Sequence, residues 1–243
     1  MPRRAWTKNG AQEAIDYYIF EQFILFQQWN RLKAYANAHG ISILGDMPIY
    51  VSDESADFWA NRTLFETTPE GEPKRIAGVP PDYFSEDGQL WGNPLYDWVR
   101  MKQDGYRWWL QRIGNSLKIY DAVRIDHFRG FYRYWAVPAD AKTARVGTWE
   151  PGPGMELFHA VNAAFSNPQI VAEDLGCEEE GLVQFLLEAG YPGMKVMQFA
   201  YYGWDSIHLP YKYTENYVAY TGTHDNDTML GWLWSAKPEE RSQ

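Results

Sequence analysis

The sequence predicts an α/β protein whose core is a parallel β-sheet. Short runs of apolar and β-branched residues alternate with amphipathic helical segments, which is typical of this class. Three of the runs lead into carboxylates, at Asp126, Glu173 and Asp225. The chain has 243 residues, close to the length of one β/α barrel domain. Carboxylates at the C-terminal ends of successive strands are how such a barrel presents acids to a substrate.

The first predicted elements are a helix, a strand and a long loop. Apolar residues between positions 15 and 36 recur three and four positions apart, and Gly40 ends this helix. Residues 41–46 are predicted to be a buried strand that ends in the carboxylate of Asp46. Proline and glycine are dense over about 48–98, which predicts a loop. A loop of this length in a compact domain is usually functional. It is also rich in large aromatic residues, which a solvated linker would avoid.

The rest of the chain is predicted to alternate helices and strands. These elements are a helix over 106–120, a strand over 121–126, a helix over 155–166, a strand over 169–173, a helix over 178–189, strands over 195–200 and 217–221, and a helix over 228–234. Five strands are therefore recognisable, whereas a closed β/α barrel needs eight. Either three strands are hidden or the chain is a fragment.

The charge and residue composition of the chain argue against some classes of partner and site. The formal net charge is -10 and no Lys/Arg cluster is present, so nucleic acid and anionic membranes are poor partners. Aromatic residues make up 17% of the chain. They are first of all core material, although their ring faces also stack on sugar rings.

The one cysteine, Cys177, supports neither a disulfide framework nor a thiolate metal site. Without a signal-peptide pattern or a membrane span, we expect a cytoplasmic protein.

Arg124 and Asp126 are the first candidate pair. Residues i and i+2 of a strand point to the same side, so the guanidinium should lie beside the carboxylate and keep it ionised. An ionised carboxylate is what nucleophilic attack on a glycosidic carbon requires, with a second, acidic carboxyl about 5 Å away. An ordinary ion pair at a strand end is the alternative.

Glu173 is the candidate acid. It follows Ile170-Val171-Ala172 directly, and apolar walls at the end of a buried strand raise the pKa of a carboxyl towards that of a usable general acid. The adjacent Asp174 should point to the other side, as a helix N-cap or a loop contact.

Asp225 is the third candidate carboxylate. It follows Thr221-Gly222-Thr223-His224, where glycine permits a sharp turn, and it is suited to bind two sugar hydroxyls in the transition state. Asn226 and Asp227 could equally cap the next helix.

His127 and His224 each flank a candidate aspartate and are expected to hydrogen-bond sugar hydroxyls. A zinc site is the competing interpretation, but no His-x-x-x-His or His-x-x-Glu spacing occurs. For Asp46, a structural hydrogen bond to Arg124 or a nearby loop is favoured over direct catalysis.

These segments together resemble the 4-α-glucanotransferases of glycoside hydrolase family 77, relatives of the α-amylases. The resemblance runs from about Trp6 to the C-terminal region. The stretches that carry it are Gly45-Asp46-Met47-Pro48-Ile49-Tyr50-Val51, Ser55-Ala56-Asp57-Phe58-Trp59, Pro80-Pro81-Asp82-Tyr83-Phe84, Gly92-Asn93-Pro94 and the three carboxylate motifs.

The resemblance implies a role for each matched residue. The nucleophile falls on Asp126, the acid/base on Glu173 and the transition-state-stabilising carboxylate on Asp225. The residues matched to substrate binding are Asp46, Tyr83, Phe84, Gln89, Trp91, Arg124, His127 and His224. The implied reaction moves an α-1,4-glucan segment to a glucan or glucose acceptor through a covalent glycosyl-aspartate, with no metal or organic cofactor.

The resemblance also implies an incomplete (β/α)8 TIM-type barrel, because full members of the family are markedly longer. Residues 1–243 would form a single partial catalytic domain holding about strands three to seven, with an aromatic active-site loop inserted at about 48–98. Two other interpretations stay open. One is an α-glucan hydrolase of the same clan, and the other is a barrel fragment that binds glucan or is inactive.

Overall fold

The computed structural model describes residues 10–82, 85–176 and 180–237. The described residues form seven α-helices: α1 (Gln12–Ala38), α2 (Ala56–Ala60), α3 (Trp98–Gln103), α4 (Arg107–Ile119), α5 (Met155–Ala164), α6 (Glu180–Ala189) and α7 (Met229–Ser235). They also form nine strands: β1 (Leu44–Pro48), β2 (Arg75–Val79), β3 (Gln89–Pro94), β4 (Ala122–Asp126), β5 (Arg133–Pro138), β6 (Thr148–Pro151), β7 (Ile170–Ala172), β8 (Gly193–Val196) and β9 (Tyr217–Tyr220).

Five strands pair in parallel, and four of them, β1, β4, β7 and β9, lead to the candidate carboxylates, which confirms the predicted α/β class. β1, β4 and β7 pair in that order, with Asp46 opposite Arg124 in the register. β8 pairs in parallel with β9, and the Ala172 N–H donates to the Pro192 carbonyl at 2.8 Å where β7 meets β8. Val123 and Ile125 of β4 are buried, so apolar contact on that side of the strand drives its packing.

The strand predicted over 195–200 is shorter and lies earlier in the chain. β8 ends at Val196, and Met197–Tyr202 is a 3-10 helix. The strand begins at Gly193, where a Cβ atom would lie 2.5 Å from a carboxylate oxygen of Asp174. Periodicity did not reveal the end of the strand because the apolar run continues into the 3-10 helix.

The region predicted to be a loop over about 48–98 contains two strands. β2 and β3 join β5 and β6 in an antiparallel sheet of order β3-β2-β5-β6. The loop prediction was wrong for these residues because proline and glycine mark the ends of the strands, and because β2 pairs with β5 far along the chain. The sheet places the exposed Trp91 of β3 next to the C-terminal end of β4.

Among the described residues, the buried aromatic side chains belong to one core cluster. Trp109 is fully buried and its ring lies 5.0 Å from that of Phe131, while the rings of Phe128 and Phe158 are 4.9 Å apart. Since edge-to-face and offset contacts between aromatic rings add to area burial, this core holds the turn after β4 rigidly.

The first helix is present but packs less than its pattern predicted. Not one residue of α1 is buried, and its attachment is through Trp29 Nε1 to the Ile119 carbonyl at 2.8 Å and Lys33 Nζ to the Tyr120 carbonyl at 2.9 Å. Its exposed large apolar side chains are Tyr17, Tyr18, Ile19, Phe20, Phe23, Leu25, Phe26, Leu32 and Tyr35. Among the described residues no helix is long and apolar enough to cross a bilayer.

Candidate active site

Arg124 joins the ends of the first two parallel strands. Its Nη1 donates to both carboxylate oxygens of Asp46, at 2.7 and 2.8 Å, and its Nη2 donates to Asp126 Oδ1 at 2.7 Å. The predicted shared side of Arg124 and Asp126 and the predicted Asp46–Arg124 hydrogen bond are both confirmed. Burial lowers the pKa of the guanidinium, but the hydrogen bond and charge of Asp46 outweigh it and raise the pKa overall. Arg124 is therefore a fixed positive charge that is hydrogen-bonded to both Asp46 and Asp126.

Glu173 lies at the end of β7 with 8% of its surface exposed. Burial raises its pKa to about 7, helped by the charge of Asp126 and opposed by backbone hydrogen bonds and by Arg124. The N–H groups of His127 and Leu175 donate to Oε2 and Oε1, each at 2.7 Å. Glu173 is thus a buried carboxyl with a pKa suited to holding a proton near neutral pH, as a general acid must, and it lies beside the half-exposed Asp126.

Asp174 points away from Glu173, as predicted. Its Oδ1 accepts the Met194 N–H at 2.7 Å, so it contacts the start of β8. The two adjacent carboxylates therefore have separate functions, since one is buried at the site and the other joins two strands.

Trp91, His127 and Tyr50 form an aromatic wall next to Asp126. The Trp91 ring meets the His127 ring edge-on at 4.7 Å, and Tyr50 lies 6.2 Å from Trp91 and 6.3 Å from His127. Gln89 Oε1 accepts the Trp91 indole N–H at 3.1 Å. Burial, with the charge of Arg129, lowers the pKa of His127 to about 3, so this ring is neutral near pH 7.

Two residues of the predicted substrate-binding set, Tyr83 and Phe84, lie outside the described residues. Of the predicted substrate-binding residues, the structure brings Gln89, Trp91 and His127 together in and beside this aromatic wall.

The loop after β9 holds the third candidate carboxylate in an open position. The Asp225 side chain is 72% exposed, and its Oδ2 lies 3.5 Å from Nε2 of His224. The Asp225 N–H donates to Thr223 Oγ1 at 3.3 Å, which fixes the main chain of the loop. Gly222 leaves room for the Gln198 side chain, since a Cβ there would lie 2.7 Å from Gln198 Nε2, which donates to the Asp227 carbonyl of this loop.

Helix α7 is capped by a residue that differs from the two predicted. Thr228 Oγ1 accepts the Gly231 N–H at 3.1 Å, whereas Asn226 Oδ1 binds Thr223 and Asp227 Oδ1 accepts the Thr228 N–H. The alternative that Asn226 or Asp227 caps the helix is therefore not what the structure shows: Asn226 folds back on Thr223, and the Asp227 carboxylate lies beside the first turn of the helix without capping it.

One open pocket lies between the strands β1 and β4 and the loop after β9. It has a volume of about 330 Å³ and is lined by Leu44, Gly45, Asp46, Arg124, Met194, Tyr220, Gly222, Thr223 and His224. The pocket brings Asp46 and Arg124 from the first strands together with His224 from the last. In the ranges 10–82, 85–176 and 180–237, no group of three His, Cys, Asp or Glu side chains converges as a metal site would.

Sequence reasoning missed the residues that support the end of β1. Arg112 of α4 donates to the carbonyl oxygens of Pro48 and Ile49, at 2.6 and 2.9 Å, and packs over Trp109. Tyr96 donates its hydroxyl to the Ile49 carbonyl at 2.7 Å. These partners are 47 or more positions apart in the chain, so no local pattern could have identified them.

Known proteins resemble this chain over nearly its whole length. The family model described as 4-alpha-glucanotransferase, glycoside hydrolase family 77, matches residues 3–243. A 4-alpha-glucanotransferase from Streptococcus pneumoniae is 53% identical over 89% of this chain and 43% of its own length. The chloroplastic/amyloplastic 4-alpha-glucanotransferase of Arabidopsis thaliana is 49% identical over 97% of this chain and 41% of its own.

A solved structure agrees with these relatives. The amylomaltase from Streptococcus agalactiae, determined in complex with acarbose, matches with a TM-score of 0.94 and 44% identity, over 98% of this chain and 48% of that one. The chain thus spans less than half the length of the relatives it matches. By sequence and by fold, it belongs to the 4-alpha-glucanotransferase family, glycoside hydrolase family 77.

Proposed function

We propose that this chain is the catalytic segment of a retaining 4-α-glucanotransferase, which moves α-1,4-glucan segments to glucan or glucose acceptors. The observation that carries the proposal is the pair Asp126 and Glu173. Asp126 accepts a hydrogen bond from the Arg124 guanidinium at 2.7 Å, and Glu173 is buried with a pKa raised to about 7. Retaining glycoside chemistry needs two carboxyl groups in different environments, one to attack the sugar and one to carry a proton.

In the first half-reaction, Asp126 attacks the anomeric carbon and Glu173 gives its proton to the departing glycosidic oxygen. The part of the donor glucan that carries the glycosidic oxygen leaves as an alcohol, and the other part is joined to Asp126 as a β-glycosyl ester. In the second, Glu173 takes the proton of an acceptor 4-hydroxyl, whose oxygen displaces Asp126. The two inversions restore the α configuration, and Glu173 ends protonated as it began.

The remaining site residues are proposed to bind the glucan. His224 lines the pocket, and the exposed Asp225 lies beside it, with Oδ2 3.5 Å from the His224 Nε2; both would bind hydroxyls of the sugar that carries the developing charge. Asp46 fixes Arg124, and Trp91 offers an exposed ring face beside His127 for an acceptor sugar. That the Streptococcus agalactiae relative was solved with acarbose supports an oligosaccharide ligand at this site.

We further propose that the five parallel strands are strands three to seven of a (β/α)8 barrel. Their spatial order β1-β4-β7-β8-β9 follows the chain, as it does in a barrel. A TM-score of 0.94 over 48% of the amylomaltase supports this placement. The other strands would come from polypeptide that the relatives have in addition to the matched segment.

The function is tested in a chimera that replaces the matched segment of the Streptococcus agalactiae amylomaltase with this 243-residue chain. With maltotriose as the substrate, transfer produces a ladder of longer glucans. Release of only mono- and disaccharides would instead support the hydrolase alternative.

Two variants assign the chemistry in that assay. Asp126→Asn should abolish both the ladder and hydrolysis, whereas Asp140→Asn, at an exposed aspartate on the β5–β6 connection, should leave them unchanged. A normal ladder from the Asp126→Asn chimera would refute the nucleophile assignment. The isolated chain, assayed in parallel with gel filtration and thermal melting, tests whether this segment folds and acts alone.

A further inference from the structure

We propose that the backbone of His127, independently of its ring, is a positioning element for the Glu173 carboxyl. His127 has φ 51° and ψ 47°, in the left-handed region, and this conformation directs its N–H to Glu173 Oε2 at 2.7 Å. The inference rests on the proposed function only in calling Glu173 the acid, because the contact itself is independent of any reaction.

The left-handed residue is part of a reciprocal connection between β4 and β7. The Glu173 N–H donates to the Ile125 carbonyl at 3.0 Å, and the Phe128 N–H donates to the Glu173 carbonyl at 3.0 Å. Main chain and side chain of Glu173 are therefore both bonded to the turn that follows Asp126. A change in the turn at His127 moves the acid relative to the nucleophile.

Histidine is among the few non-glycine residue types enriched in the left-handed region, whereas a β-branched residue is strongly disfavoured there. The conformation is retained in the core because Phe128 and Phe131, which follow it, are fully buried. A left-handed residue held in this way near candidate catalytic groups is a reason to look for a function of its main chain.

The two amide donors use one lone pair on each oxygen of Glu173. His127 serves Oε2 and the Leu175 N–H serves Oε1 at 2.7 Å. A proton on the acid must therefore occupy a remaining lone pair, so the amides limit where the acid can present it. They also favour the ionised form, and so oppose the burial that raises the pKa.

Among the described residues, two charged side chains act on the pKa of Glu173. Asp126 raises its pKa and Arg124 lowers it, both from β4. The His127 ring has its pKa lowered to about 3 by burial and by Arg129, so it remains neutral above pH 5. Titration observed at Glu173 between pH 5 and 9 is therefore not that of the neighbouring imidazole.

The first test measures the contact in the unaltered 243-residue chain. The amide proton shifts of His127 and Leu175 are followed by NMR from pH 5 to 9. Both should change with one common midpoint near pH 7, and both changes should disappear in Glu173→Gln. Two amides that do not respond, or that keep responding in Glu173→Gln, would overturn the proposal.

The second test separates the backbone of His127 from its ring. Gly and Asn readily adopt left-handed conformations and lack the imidazole, so His127→Gly and His127→Asn should leave the Glu173 midpoint unchanged. His127→Val also lacks the ring but disfavours the conformation, and it should raise the midpoint by about one pH unit. Equal midpoints in the Val and Gly variants would refute a role of the backbone.

These outcomes are distinguishable from failure of the proposed function, because neither NMR test requires turnover. If His127→Val does not fold, the amide titration in the unaltered chain still decides. In an active chimera, the same Val variant should shift the basic limb of the kcat/KM profile upward, and the Asn variant should not.

Discussion

Replacement of Glu173 by glutamine should remove one pH dependence from the stability of the chain. Burial raises the pKa of Glu173 from 4.5 to about 7, a difference of about 2.5 pH units. Because each pH unit is worth about 1.4 kcal/mol, ionising this group in the fold costs about 3 kcal/mol. Glu173 is 8% exposed, so solvent screening reduces this little.

The sign follows from which state binds the proton. Between pH 4.5 and 7 the folded chain holds the Glu173 proton and the unfolded chain has lost it, so stability falls as the pH rises. The contribution is complete below pH 4.5 and lost by about pH 7. Glutamine does not titrate, but its NH2 group cannot accept the backbone N–H that one Glu173 oxygen accepts, which adds a cost that does not vary with pH. Relative to its value near pH 4.5, the stability of the variant should therefore rise by about 3 kcal/mol over that of the original chain above pH 7.

The assay is urea unfolding of both proteins from pH 4.5 to 8, analysed as the difference between their free energies of unfolding. The comparison between the two proteins is essential because burial lowers the pKa of His127 to about 3 and of His208 to about 4. These two histidines make the free energy of unfolding rise with pH, which is opposite to the effect of Glu173. These histidines are present in both proteins and cancel. A difference that is flat across this range would refute the burial argument for Glu173.

Three other predictions test the structure around the site. Arg124→Met should lower the free energy of unfolding by about 1–2 kcal/mol in urea, because it leaves two carboxylates unpaired, although both are half-exposed; no loss would contradict the bridge. Phe158→Ala, at a fully buried ring in contact with Phe128, should cost about 3–5 kcal/mol, and a cost below 1 kcal/mol would show that the core is packed differently. Replacing the exposed Phe20 and Phe23 with serine should reduce the concentration-dependent association of the isolated chain in gel filtration. The free energy of unfolding should change by less than about 0.5 kcal/mol. An original chain that is monomeric at every concentration would contradict this.

Local pattern was sufficient for the parallel strands and for the geometry at their ends. β-branched runs predicted β4 and β7, and the two-residue period of a strand predicted that Arg124 lies beside Asp126. The separation of Glu173 from Asp174 followed from the same alternation. These features depend on neighbours in the chain, which is why a single sequence contains them.

Features that depend on distant residues were not predictable. β2 was hidden because its partner β5 lies more than fifty residues away, and the support from Arg112 links positions 63 residues apart. The left-handed backbone of His127 has no signal beyond the tolerance of histidine for that region. The apolar face of α1 predicted burial, yet in the described part of the chain no residue of this helix is fully buried, and its contact with the rest of the fold is made by residues such as Trp29.

The central claim is that Asp126 forms the covalent bond and Glu173 moves the proton. It is tested most directly in the chimera carrying Glu173→Gln, incubated with a maltotriosyl fluoride whose terminal 4-hydroxyl is blocked. Fluoride leaves without acid assistance, so the glycosyl-enzyme forms, but it persists because the base that activates an acceptor is missing. Peptide mass spectrometry should find the added glycosyl mass on Asp126, and that mass should be absent from the Asp126→Asn, Glu173→Gln double variant. A stable adduct on Asp46 or Asp225, or no adduct while fluoride is released, would contradict the account.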